Sequence, residues 1–156
     1  MASAPTHATR IAFRPLSVSP LETVTRYLGA ASILMVGGIH AQQYYDAYFN
    51  VVPTIGTLFL LSFVGAAIVG GVLIAPVRRL GAIGDLALAA AALGGIGIAV
   101  GTLVSLLISE YTPLFGFMES GYRLAVVLTL VFDVVATVLL GAFLVFVGPR
   151  AIRSLR

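Results

Sequence analysis

The sequence predicts an all-α protein, a membrane-spanning antiparallel four-helix bundle preceded by a disordered N-terminal arm, and three observations predict it. Hydrophobic residues make up 60% of the 156 and charged residues only 10%, whereas a soluble domain carries roughly a quarter charged residues. Four long apolar stretches are separated by short polar or aromatic connections, each stretch near the roughly 20 residues that cross a bilayer. All nine Lys and Arg positions are Arg, and eight of them gather at the chain ends and between the second and third stretches, with Arg123 alone in the other connections. Cys is absent, which excludes disulfide frameworks, thiolate metal sites and Cys nucleophiles. A formal charge of +3 spread over ends and loops implies no nucleic-acid partner.

Residues 1–22 read as a flexible cytoplasmic arm, rich in Ser, Thr, Ala and Pro without periodicity. Residues 23–150 form the transmembrane bundle, with spans at about 25–45, 54–75, 85–109 and 122–147, and residues 151–156 form a basic cytoplasmic tail. The first span is the least ideal. Its strictly apolar part ends at Ile39, so His40, Gln42, Gln43, Tyr44 and Tyr45 have to be drawn into the outer third of the membrane. A signal peptide cut near Ala41 is the rival reading, set aside because the chain runs on unbroken from Met1. The second span stops at Pro76, Arg78 and Arg79, Asp85 caps the third, and Gly148 and Pro149 end the fourth.

Orientation follows from the arginines. Arg10, Arg14 and Arg26 precede span one, Arg78 and Arg79 lie between spans two and three, and Arg150, Arg153 and Arg156 follow span four. The positive-inside rule then puts both termini in the cytoplasm of a bacterial plasma membrane. Small residues predict where helices approach closely: Ala66 and Gly70 in span two, and Ala91 with Gly95 and a second row of Gly97 and Gly101 in span three. The second row implies another neighbour, inside the chain or in another subunit.

Asp133 lies 11 residues into span four from Tyr122, which is roughly 16 Å deep and near the midplane. A carboxylate there costs about 2.5–3.5 kcal/mol, so it is expected to be protonated, paired or open to a polar cavity. Thr129 and Thr137 flank it at four-residue spacing and make one polar face. His40, Ser62 and Ser105 fall in the same outer half. The expected site is an outward-facing polar pocket walled by His40, Gln43, Ser62, Ser105 and Asp133, with Glu110 and Glu119 at its mouth. An imidazole and an embedded carboxylate are what a proton relay or cation site requires. The plainer alternatives are a hydrogen-bonded structural Asp133 and an interfacial His40.

Catalytic templates fail: neither a phosphate-binding G-x-x-x-x-G-K-[ST] loop nor a G-x-S-x-G elbow is present. Haem finds only His40 and His7, the latter in the arm, and no cofactor or metal is assigned. Gly38-Ile-His-Ala-Gln-Gln-Tyr-Tyr, Pro53-Thr-Ile-Gly-Thr-Leu-Phe-Leu-Leu, Leu114-Phe-Gly-Phe-Met-Glu and the mid-span Asp133 together resemble an uncharacterised group of small four-helix integral membrane proteins of high-GC Gram-positive bacteria. The resemblance covers residues 26–147 and implies topology without an activity. Two functional classes are expected. The first is an accessory or stabilising subunit of a larger membrane assembly, partnered by lipid and by other membrane subunits or copies of itself. The second is a proton-, cation- or quinone-handling protein using Asp133 and His40.

Overall fold

A computed structural model gives the fold over residues 19–119, 121 and 123–155. The expected arm over residues 1–18, the expected first residue of span four at Tyr122, and Arg156 lie outside the described residues. The chain is helical, with α1 (Pro20–Tyr45), α2 (Pro53–Ile74), α3 (Ala82–Tyr111) and α4 (Leu124–Arg153). Short 3-10 turns at Phe49–Val51 and Val77–Leu80 lie in the connections. No strand occurs among the described residues beyond an isolated bridge between Leu114 and Phe117.

Proline sets two of the starts. Pro20 and Pro53 occupy the first turns of α1 and α2, where the missing N–H costs no hydrogen bond. Extended backbone at Ala75, before Pro76, ends α2. Helices α2, α3 and α4 are each long and apolar enough to cross a membrane. Helix α1 falls outside that set, being diluted by Glu22, Arg26, His40 and its glutamines.

Three boundaries differ from the sequence reading. Helix α1 begins at Pro20, so Leu21 and Glu22 belong to it rather than to the arm. Helix α4 continues through Gly148 and Pro149 to Arg153, taking in half of the expected tail. A proline near a helix end is tolerated where tertiary contacts hold the following turn. Here Ala151 is buried and Arg150 is bonded to Glu22. Gly81, not Asp85, stands at the cap position of α3, and no side-chain cap bond forms there.

Helix α1 packs on α2 and α4, and α3 packs on α4 and α2, while α1 and α3 scarcely meet. Each helix therefore has two main neighbours around a common interior. Toward the arginine-bearing ends that interior is dry and apolar, with Ala30, Leu73, Leu88, Ala92, Leu140 and Phe143 fully buried or nearly so. A second layer follows of Ile33, Val36, Ala66, Ala99 and Ala136. Close approach explains the small residues. A Cβ on Gly37 would lie 2.8 Å from that of Ala66, one on Gly70 2.5 Å from Leu34, and one on Gly95 2.6 Å from Leu140. Ala91 is buried in the same core.

The arginine-bearing end is tied by ions. Glu22, fully buried, accepts hydrogen bonds from Arg150 at 2.7 and 2.9 Å and a further one from Arg78. Arg26 donates from Nε to the Leu73 carbonyl and from Nη2 to that of Ala75, both at 2.6 Å, satisfying the end of α2. Burial pushes the Glu22 carboxyl up, but the hydrogen bonds from Arg150 and Arg78 outweigh it and hold the group below its ordinary value of 4.5.

Candidate ligand-binding cavity

Beyond the Ala66, Ala99 and Ala136 layer the helices enclose a cavity of about 340 Å³, within the range of small-molecule sites. All four helices contribute. His40 comes from α1, Ser62 from α2, Ser105 from α3 and Thr129 from α4. These residues lie four to seven positions beyond the alanine layer, so the four groups stand at similar heights, roughly 6–10 Å above it.

Their hydrogen bonding separates them from the other hydroxyls. A Ser or Thr within a helix normally returns its proton to the carbonyl three or four residues back. Thr25, Ser32, Thr57, Thr102, Ser109 and Thr137 all do so. Among the described residues beyond a helix's first turn, Ser62, Ser105 and Thr129 make no hydrogen bond in the chain, and all three line the cavity. His40 is 6% exposed and its Nδ1 donates to the Val36 carbonyl at 2.8 Å. In that tautomer Nε2 is the ring's acceptor nitrogen.

Aromatic rings form one wall. Phe59 meets the His40 ring edge-on at 5.0 Å between centroids, Phe49 stands 5.1 Å from Phe59, and Phe117 stands 5.1 Å from Phe49. A tight turn delivers Phe117. Phe115 and Gly116 adopt φ of 51° and 80°, and the backbones of Leu114 and Phe117 bond reciprocally at 2.7 and 2.9 Å. The end of the cavity away from the alanine layer is crossed by Arg123, whose guanidinium grips both Glu119 oxygens, at 2.8 Å to Oε2 and 3.0 Å to Oε1 from Nη2. The Glu119 N–H is fixed in turn on the Ser109 carbonyl at 3.0 Å.

The expected site residues fall into three groups. His40, Gln43, Ser62, Ser105 and Thr129 line the cavity, with Glu119 at the rim. Asp133 does not reach it. Its side chain is fully buried beneath the floor, with Oδ2 2.8 Å from the Thr102 hydroxyl and Oδ1 unpartnered. Thr102, which does line the cavity, joins the two levels. Glu110 is not among the lining residues, and the Thr137 hydroxyl is spent on the Asp133 carbonyl at 2.8 Å. The polar face spaced by four is thus split by depth, since only its outermost member meets open space.

Gly97 and Gly101 pack on no helix of this chain: no heavy atom lies within 4 Å of where a Cβ would stand, and both are exposed yet line the cavity. The sequence reading missed Glu22, whose partners lie 56 and 128 residues away. It also missed the phenylalanine wall, which two connections and a helix assemble. The available signal for the wall was a run of Phe in otherwise polar connections.

A scan against protein-family models finds no match, and no curated protein or solved structure shows significant similarity to the chain.

Proposed function

We propose that the chain is an antiparallel four-helix bundle of the bacterial plasma membrane, all four helices spanning and both ends cytoplasmic, that binds a small amphipathic molecule in its outer half. The observation that carries this reading is the ring of His40, Ser62, Ser105 and Thr129, one group from each helix with hydrogen-bonding capacity left open, around a mostly apolar cavity. Leaving hydroxyls unbonded in a membrane interior is unfavourable by about 1–3 kcal/mol each. A ligand with its own donors and acceptors removes that penalty.

The chemistry of the ring narrows the ligand. Hydroxyls donate or accept, while neutral His40 offers an acceptor, so the head that fits carries oxygen functions and at least one donor. Phe49, Phe59 and Phe117 favour a flat head over a branched one. Asp133 serves the site through Thr102. That hydroxyl has one proton and three acceptors around it: Asp133 Oδ2 at 2.8 Å, the Ile98 carbonyl at 2.9 Å and the Ala99 carbonyl at 3.0 Å. A proton on Asp133 Oδ2, donated to Thr102, lets Thr102 donate to its own helix. The group then works as a neutral acid that gives up its proton when the cavity supplies a base.

Native mass spectrometry of the protein released from mild detergent tests the reading. The wild type retains a bound small molecule, and a Ser62→Ala, Ser105→Ala, Thr129→Val triple variant that is folded by circular dichroism loses it. A wild type that retains nothing under conditions preserving its fold ends the proposal.

A second reading, an accessory or stabilising subunit, is favoured by the exposed Ala67 and Gly71 of α2. Gly71 has open space above it, and such a surface admits another helix closely. Stable co-purification of a second membrane protein, lost in a Gly71→Leu variant, distinguishes this reading.

A further inference from the structure

We infer that the cavity is loaded sideways from the bilayer, through a gap between α2 and α3 at Gly97 and Gly101, and that its ligand is an amphipath with an apolar tail left in that gap. The inference rests on the membrane placement and on the cavity reading above, and it adds the route and the ligand class.

At Gly65 and Gly95, α2 and α3 are closed against each other. A Cβ on Gly65 would stand 3.0 Å from Ile98, and one on Gly95 3.2 Å from Val69. To either side of Ile98, on the exposed face of α3, the contact is gone. Gly97 and Gly101 have no atom within 4 Å of a Cβ position, they are exposed, and they line the cavity. On the facing side Leu58 of α2 also lines the cavity while remaining 39% exposed. A residue that borders an interior space and the outer surface at once stands at an opening.

The position of that opening selects what can use it. Gly97 lies at the middle of α3 and Gly101 one turn beyond, so in a spanning helix the opening faces hydrocarbon rather than water. At the far end Phe49 and Phe117 meet edge to face and the Glu119–Arg123 ion pair spans the rim. A solute entering there has to pass charged groups. A molecule dissolved in the bilayer needs only to slide its head past two hydrogens on each glycine. Thr129, only 8% exposed and without a partner, awaits the head inside. Glycine at both positions is what keeps the seam open, since any side chain there would fill it.

Two probes and two glycine variants test this. The protein is reconstituted in phosphatidylcholine vesicles and equilibrium binding is measured for decylubiquinone and for its tail-free parent, 2,3-dimethoxy-5-methyl-1,4-benzoquinone. Side loading predicts that the tailed quinone binds at least about tenfold more tightly, after correction for its partition into vesicles without protein. Gly101→Leu and Gly97→Leu each weaken or slow its binding by about tenfold or more, while Gly71→Leu, an exposed glycine of α2 off the cavity, leaves it unchanged. Both cavity variants keep the wild-type unfolding temperature, because nothing occupies the space the leucine enters.

Equal binding of the two quinones, unaffected by Gly97→Leu and Gly101→Leu, overturns side loading and leaves the cavity reading standing. Binding of neither quinone to a protein that still retains its own ligand in mass spectrometry refutes the quinone-like tailed class. Binding of neither, with no ligand retained, overturns both.

Discussion

The same residue is used in opposite ways in the two halves of this molecule. Toward the arginine-bearing ends Gly37, Gly70 and Gly95 sit where a methyl group would collide with Ala66, Leu34 and Leu140, and the helices there close on a dry core. Where α3 borders the cavity, Gly97 and Gly101 have open space at their Cβ positions, and the helices stand apart around a cavity edged by hydroxyls. Glycine allows contact in one half and preserves space in the other. A small-residue row in a membrane helix therefore predicts close packing only when a neighbour is present to use it.

Substitutions in the two halves should behave accordingly, and the largest effect belongs to the ion cluster. Glu22→Ala leaves Arg78 and Arg150 without their shared carboxylate; unfolding in detergent should show a loss of about 3 kcal/mol. Glu22→Gln should cost less because it keeps the shape and one acceptor. If Glu22→Ala unfolds like the wild type, the clamp contributes nothing. Next comes Gly37→Ala, whose new methyl meets the Cβ of Ala66 at 2.8 Å, a neighbour that cannot rotate away. A destabilisation of about 1–3 kcal/mol is expected from the forced separation. Gly101→Ala in the open half should change stability by no more than about 0.5 kcal/mol. Equal costs at the two positions would erase the contrast between the halves.

Acid should act on the closed half first. Because the folded Glu22 carboxyl lies below its ordinary value, its stabilisation is full at pH above about 4.5 and is lost as pH falls through the lower folded value. Unfolding temperature should thus be flat near neutrality and fall in acid, and Glu22→Gln should flatten the acid limb. An acid limb that is unaltered in that variant assigns the effect elsewhere. The smallest effect is expected at Asp133. Asp133→Asn keeps a neutral polar group beside Thr102, so the unfolding temperature should move little. The infrared carbonyl band of a protonated carboxyl, present in the wild type, should disappear in Asp133→Asn. Its absence from the wild type would refute the neutral acid.

Much of the helical fold was legible because apolar runs of membrane length leave few alternatives, and the depth count along each helix put His40, Ser62 and Ser105 in the same half of the bundle. Depth along a helix is a local quantity. Which way a side chain faces among neighbours is not, and there the reading failed for Asp133, which lies under the cavity, and for Thr137, which bonds its own backbone. Local stop signals also misled. Gly148 and Pro149 read as a terminus, but burial of Ala151 and the pull of Glu22 on Arg150 carry the helix onward. Glu22 itself offered no local signal, because a lone acid near a helix start usually serves only the helix dipole.

The contact between Glu22 and Arg150 also has a bearing on how the chain is made. The two residues lie 128 positions apart, on the first turn of the first helix and the last turns of the fourth. During synthesis α1 emerges with a buried-type carboxylate whose bidentate partner Arg150 has not yet been translated, while Arg78 is made earlier. The seam between α1 and α4 can be sealed only when α4 has left the ribosome. Synthesis of α4 is thereby coupled to closure of the helix assembly, so a product terminated before Arg150 would keep an unsealed, proteolytically vulnerable seam.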